Sequence, residues 1–243
     1  MKKLLLRVLT GTMMLAFMLD CYGGDVYAAT ITKTLDKDTK IMPPGVISSD
    51  DPPTFRKGTT VTLNEYGEVI EGTLAYDVIL NCVPREYDEN GRHYYNPYAG
   101  WFNKGTKVIF DNRGKVIKGT TVYSLTLGSL CVPLNSNSWL GIKKGTEVTF
   151  HQNGMLASGT IGENTYFRFI GWQKLLENSV AGFIEFKAGT EVKLNDKGEL
   201  TKGTLNKDVK LLSPDGTIKL YEAGTTVEFD ENGVVVKAEK PAS

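Results

Sequence analysis

"FKAGTEVKLNDKGELTKGTL", Phe186 to Leu205, sets three glycines at intervals of nine and five residues, with a threonine after the first and after the third. The first glycine of this pattern stands at Gly58, Gly105, Gly145, Gly189 and Gly224, and the second, nine residues on, at Gly67, Gly114, Gly154, Gly198 and Gly233. The third follows at Gly72, Gly119, Gly159 and Gly203; only the last copy differs, with Ala238 in its place. Internal spacing is constant while the copies lie 47, 40, 44 and 35 residues apart, so one supersecondary element has been duplicated and the segments between copies have drifted.

Periodicity identifies the element. Three residues before the first glycine stand Phe55, Phe102, Ile142, Phe186 and Tyr221; three after it, Val61, Val108, Val148, Val192 and Val227; five after it, Leu63, Phe110, Phe150, Leu194 and Phe229. Odd offsets share one face of an extended chain, and the residues between them are mostly Thr, Lys and Glu, which predicts a strand with one wet face. The tetrapeptides "NEYG", "DNRG", "HQNG", "NDKG" and "DENG" follow. A polar side chain at the first position and a glycine at the last suit a type I turn closed by a glycine bulge. Beyond it Val69, Val116, Leu156, Leu200 and Val235 resume the apolar face, so each copy is expected to be a β-hairpin.

The third glycine opens a further signal, "GTLAYDVIL", "GTTVYSLTL", "GTIGENTYF" and "GTLNKDVKL", with "KTLDKDTKI" at Lys33–Ile41 as a partial copy. A polar or small tripeptide there interrupts two extended pieces. The expected fold is therefore all-β: a five-unit antiparallel β-meander and hairpin repeat array in one elongated or curled sheet, with units starting near Thr34, Thr73, Thr120, Thr160 and Thr204 and variable inserts between them. A one-sided sheet cannot leave its Phe and Val row in water, since each such side chain contributes roughly 1.5 to 3 kcal/mol when buried. The inserts "REYDENGRHYYNPYAGWF" and "FRFIGWQKLLENSVAGFIEF" are rich enough in apolar residues to cover it, with a short helix allowed at "WQKLLENS".

The run "FNKGTKVIFDNRGKVIKG", Phe102 to Gly119, resembles repeats of the membrane occupation and recognition nexus (MORN) type, whose units pair as successive hairpins in an elongated curved sheet. The resemblance touches about half of residues 29–243 in five pieces, and the tyrosine and "G-x-W" of that family are not reproduced. It implies a scaffold or contact surface and no enzyme, and it carries over no binding residue.

"MKKLLLRVLTGTMMLAFML" is a basic start followed by an apolar run ending at Asp20, too short for a comfortable membrane span, and "VYA" at 26–28 places small residues where signal peptidase cuts. Residues 1–28 are expected to be a cleaved secretory signal. The alternatives are a retained anchor and lipidation at Cys21, the latter disfavoured by Asp20. The expected mature chain is one domain, 29–243, secreted, periplasmic or in the cell envelope, with no membrane insertion after cleavage. Cleavage removes Lys2, Lys3 and Arg7 against Asp20 and Asp25 from a balance of 28 basic and 28 acidic residues, so near-neutrality persists and nucleic acid is not an expected partner. Cys82 and Cys131, both followed by Val-Pro, are candidates for a disulfide in an oxidising compartment, about 2 to 4 kcal/mol for a long loop; two buried thiols are the alternative.

The sharpest functional hint lies in the inserts. Trp101, Trp139 and Trp172 fall one per insert, and Trp101 follows Tyr87, Tyr94, Tyr95 and Tyr98. Aromatic faces spaced along a rigid array, with Asn96, Asn135 and Asn137 nearby, suit a sugar polymer; against this stands the usual burial of tryptophan, which favours these rings capping the sheet. The candidate ligand-binding residues are thus Trp101, Trp139, Trp172, Tyr94, Tyr95 and Tyr98. Catalysis has little support: His151 occupies a turn position held elsewhere by Asp or Asn, and His93 lies in "NGRHYY" without a nucleophile at a telling spacing. No metal site and no cofactor are expected. The expected role is a non-catalytic interaction module binding an extracellular or envelope protein, with cell-wall glycan binding as the alternative and an unrecognised hydrolase as the most remote.

Overall fold

A computed structural model describes residues 29–46, 51–82, 99–128, 132, 139–173 and 182–240. The expected signal segment 1–28, Cys21, Tyr94, Tyr95, Tyr98 and Cys131 lie outside them. In chain order the strands are β1 (Ile31–Thr34), β2 (Thr39–Lys40), β3 (Thr54–Phe55), β4 (Thr60–Leu63), β5 (Val69–Thr73), β6 (Val78–Asn81) and β7 (Ala99–Phe102). They continue with β8 (Lys107–Phe110), β9 (Val116–Thr120), β10 (Leu125–Gly128), β11 (Trp139–Ile142), β12 (Glu147–Phe150), β13 (Leu156–Thr160) and β14 (Thr165–Arg168). The last are β15 (Phe183–Phe186), β16 (Glu191–Leu194), β17 (Leu200–Thr204), β18 (Val209–Leu212), β19 (Ile218–Tyr221), β20 (Thr226–Phe229) and β21 (Val235–Glu239). The described fold is all-β; of the helix allowed at "WQKLLENS" only Trp172 and Gln173 are described, in 3₁₀ geometry. No described helix is long and apolar enough to cross a membrane.

Eleven strands form one antiparallel sheet in the order β1-β4-β5-β8-β9-β12-β13-β16-β17-β20-β21, built of hairpins laid side by side. The remaining strands pair as two-stranded ribbons, β2–β3, β6–β7, β10–β11, β14–β15 and β18–β19. Each sheet hairpin carries a register shift just before its turn, for example between Thr62 and Leu63 or between Ile109 and Phe110. That is the bulge the turn sequences predict. Asn64 Oδ1 accepts hydrogen bonds from the amides of Tyr66 and Glu68, and Asp111 Oδ1 does the same for Arg113 and Lys115. Gly67 closes its turn at φ 78°, a conformation open chiefly to glycine.

One expectation is corrected. The residues three before and three after the first glycine do not share a strand, because the chain reverses between them through the turn containing that glycine, as at Gly105 with φ 74°. Phe55, Phe102, Ile142 and Phe186 close ribbons, whereas Val61, Val108, Val148 and Val192 lie in the sheet. The two sets meet in one core from opposite layers, and all eight side chains are fully buried. The odd offsets matched because a chain that reverses onto itself returns its apolar residues to the same interior.

The threonine after each of these turn glycines has a role of its own. Thr59, Thr106, Thr146 and Thr190 each donate their hydroxyl to the carbonyl three residues back, at 2.6 Å. The turns are also stitched to the preceding strand: Gly105 N donates to Leu74 O at 2.8 Å, and Leu74 N to Thr106 O at 3.0 Å. The third glycine answers a packing demand. A Cβ on Gly72 would sit 2.4 Å from Phe55 Cδ1, one on Gly119 2.5 Å from Phe102 Cδ1, and one on Gly203 2.5 Å from Phe186 Cδ1. The ribbon ring lies directly on the sheet backbone, so side-chain volume there is excluded.

Candidate functional site

Ribbons that cover the sheet with one face must turn the other face outward. In β7, Gly100 and Phe102 are buried while Trp101 is 44% exposed, and its cross-strand neighbour Ile79 is 52% exposed. Tyr123 belongs to the turn after β9, which Val122 N anchors to Trp101 O at 2.8 Å. Its ring meets the indole edge-on, centroids 6.2 Å apart and planes at 84°. Ile79, Trp101 and Tyr123 therefore make one outward apolar patch, assembled from three chain segments.

The next ribbon repeats the geometry with different residues. In β11 the buried side chains are Leu140 and Ile142, and Trp139, paired with Gly128, faces outward at 54% exposure. Neither Trp101 nor Trp139 caps the sheet, contrary to the expectation from tryptophan's usual burial. Two constraints place them there: the alternation of β7 and β11, and the occupation of the inner positions by Phe102 and Ile142. Trp172 differs, lying beyond β14 half-buried against the core.

On the ribbon β14–β15, Thr165 and Phe167 point inward, and Tyr166 and Arg168 outward, opposite Glu185 and Phe183. The Arg168 guanidinium lies over the Trp172 ring at 4.0 Å from its centroid and over the Phe183 ring at 4.6 Å. Beside it Lys207 Nζ pairs with Glu185 Oε2 at 2.7 Å and donates to the Tyr166 hydroxyl at 3.2 Å. Asn206 Nδ2 donates to the same carboxylate at 3.1 Å. These bonds, that from Lys207 first, hold the Glu185 carboxyl below its ordinary value, and Glu185 raises the Lys207 amine in turn.

Sequence spacing singled out the tryptophans but not Ile79, Tyr123, Tyr166 or Arg168. For Ile79, Tyr166 and Arg168 the signal was the alternation within strands flanking the inserts, legible only once the cross-strand register is known; Tyr123, in a turn, had none. Cys82 is buried in the ribbon layer; its candidate partner lies outside the described residues, so the bridge itself is not described. The buried acidic residues sit in hairpin turns. Asp111 caps its turn and lies 3.5 Å from Lys115 Nζ, and Glu199 accepts from Asn195 Nδ2 at 2.9 Å. His151 Nε2 donates to the Leu194 carbonyl at 2.9 Å, which links neighbouring hairpin tips. Among the described residues no three His, Cys, Asp or Glu side chains gather as metal ligands would. No protein-family model, curated protein or solved structure matches the chain.

Proposed function

We propose that the chain is a secreted or cell-envelope, non-catalytic interaction protein of five meander units, and that it binds a glycan polymer along the outward faces of its ribbons. The observation that carries this reading is the exposure of Trp101 and Trp139 on consecutive ribbons, where burial was the competing expectation. Flat rings stack on sugar faces while tolerating register, and the rings are presented on paired strands, which hold them rigidly. The spacing suits a polymer as well. Each ribbon arises from every second strand of the sheet, so successive ribbons advance by about 10 Å, twice the distance between neighbouring strands. An extended β-linked polysaccharide repeats its disaccharide on a comparable length.

A protein partner is the second reading, favoured by the Ile79–Trp101–Tyr123 patch, in which an aliphatic side chain beside two rings resembles the aromatic anchor of a protein interface. The MORN-type resemblance supports a contact surface on either reading, and the signal-like segment 1–28 supports export. Sedimentation of the purified chain with isolated cell wall tests the first reading. Binding is expected, with a clear loss in Trp101→Ala and in Trp139→Ala, each of which removes an exposed ring face on which a sugar stacks. Wall binding that is absent, or indifferent to both substitutions, sinks the glycan reading.

A further inference from the structure

Among the described residues, Arg168 on the ribbon β14–β15 is a cation lying over two rings. The Arg168 guanidinium lies over the Trp172 and Phe183 rings, and two donors here, Arg168 Nε and Trp172 Nε1, are buried without a hydrogen-bond partner. Glu185, on this face, is taken by Lys207 and Asn206. Among the described residues no carboxylate lies within ion-pair distance of Arg168. A planar guanidinium stacked on aromatic faces keeps its edge for in-plane donors, which suits a carboxylate taken up in a bidentate manner. Because Arg168 Nε and Trp172 Nε1 are buried, the donors that the guanidinium can offer a ligand are its Nη groups.

From this arrangement we infer that Arg168, Trp172 and Phe183 form a subsite for the carboxylate of an acidic sugar, so that the polymer bound along the ribbons is a uronate-type glycan. This rests on the glycan reading above and narrows it. Arg168 supplies the charge-assisted hydrogen bonds, Trp172 and Phe183 fix the plane of the guanidinium, and the Tyr166 ring on the same face lies beside the sugar. The Glu185–Lys207 pair keeps the neighbouring carboxylate from repelling the incoming one.

The test uses the purified chain, an oligogalacturonate and a neutral β-glucan oligosaccharide of equal length, with binding read by calorimetry and by tryptophan fluorescence. The oligogalacturonate is expected to bind at least tenfold more tightly than the neutral oligomer, and the preference to fall as salt is raised. Arg168→Gln should abolish the preference, and Arg168→Lys, which keeps the charge but not the fork, should restore only part of it. A purely structural arginine predicts the other pattern, a lower melting temperature in both variants with selectivity intact, and that result overturns the inference. Equal affinity for both oligomers, lost in Trp101→Ala but not in Arg168→Gln, also overturns it while leaving the glycan reading standing. Absence of binding to either oligomer, and to isolated wall, overturns both.

Discussion

The hairpin β8–β9, in the interior of the sheet, and the hairpin β20–β21, at its end, have the same turn, the same bulge and the same buried valine, yet they differ at the third glycine. In the interior, Phe102 is fully buried and lies on Gly119, and β9 is flanked by β12. At the end, Tyr221 takes the place of Phe102 and is only half-buried, Ala238 takes the place of Gly119 and is exposed, and β21 is the edge strand of the described sheet. The same contrast holds on the outward faces. Glu185 is tethered by Lys207 from the following turn, whereas its counterpart Leu220 is 58% exposed. The glycine is thus required by a neighbour pressing on it. Where the neighbour ends, the requirement ends too.

Three measurements test this contrast. The largest effect is expected from truncating the rings. Phe102→Ala should lower unfolding stability by about 3 to 5 kcal/mol, and Tyr221→Ala by about 1 kcal/mol, both read by denaturant titration. Equal losses would mean that the end ribbon is as well packed as the interior one. Next comes the glycine itself. Gly119→Ala drives a methyl into the Phe102 ring and should destabilise by about 1 to 3 kcal/mol, while Ala238→Ser should stay within about 0.5 kcal/mol. A Gly119→Ala protein as stable as the parent would remove the packing explanation altogether.

The smallest effect concerns the tether. Because the Glu185 carboxyl is held below its ordinary value, its contribution is present above that value, about 4.3 for a free glutamate, and is lost as the pH falls through the lowered folded value. Glu185→Gln should therefore melt slightly below the parent at neutral pH, by at most about 2 °C for a half-exposed pair, with the gap closing on acidification. Leu220→Gln, at the untethered position, should show no such pH-dependent gap. A gap that widens in acid would reverse the assigned sign.

Much of the hairpin was legible in the chain. Asn64 and Asp111 at the head of their turns, glycine at the tail, and a valine on every first strand are local rules, enforced within nine residues, and each appears in the structure as expected. The candidate site was legible only in part. Trp101 and Trp139 were identifiable by their recurrence, but their direction was not, since an indole in an insert can turn toward the core or away from it. What decided it was that Phe102 and Ile142, one and three residues further along, already filled the interior. Arg168 was marked only by the alternation of β14, and its contact with Phe183 was not legible, because the pairing of β14 with β15 creates it.

The amino-acid order alone determined the hairpins, their turns and the apolar face, because hydrogen bonding in a tight turn and alternation along a strand depend on residues a few positions apart. Tertiary structure decided that the chain reverses at each first glycine into a second layer, that the third glycine makes room for a ring, and which aromatic side chains meet solvent. Those outcomes depend on volume and on pairing between distant segments, which periodicity along one strand cannot register.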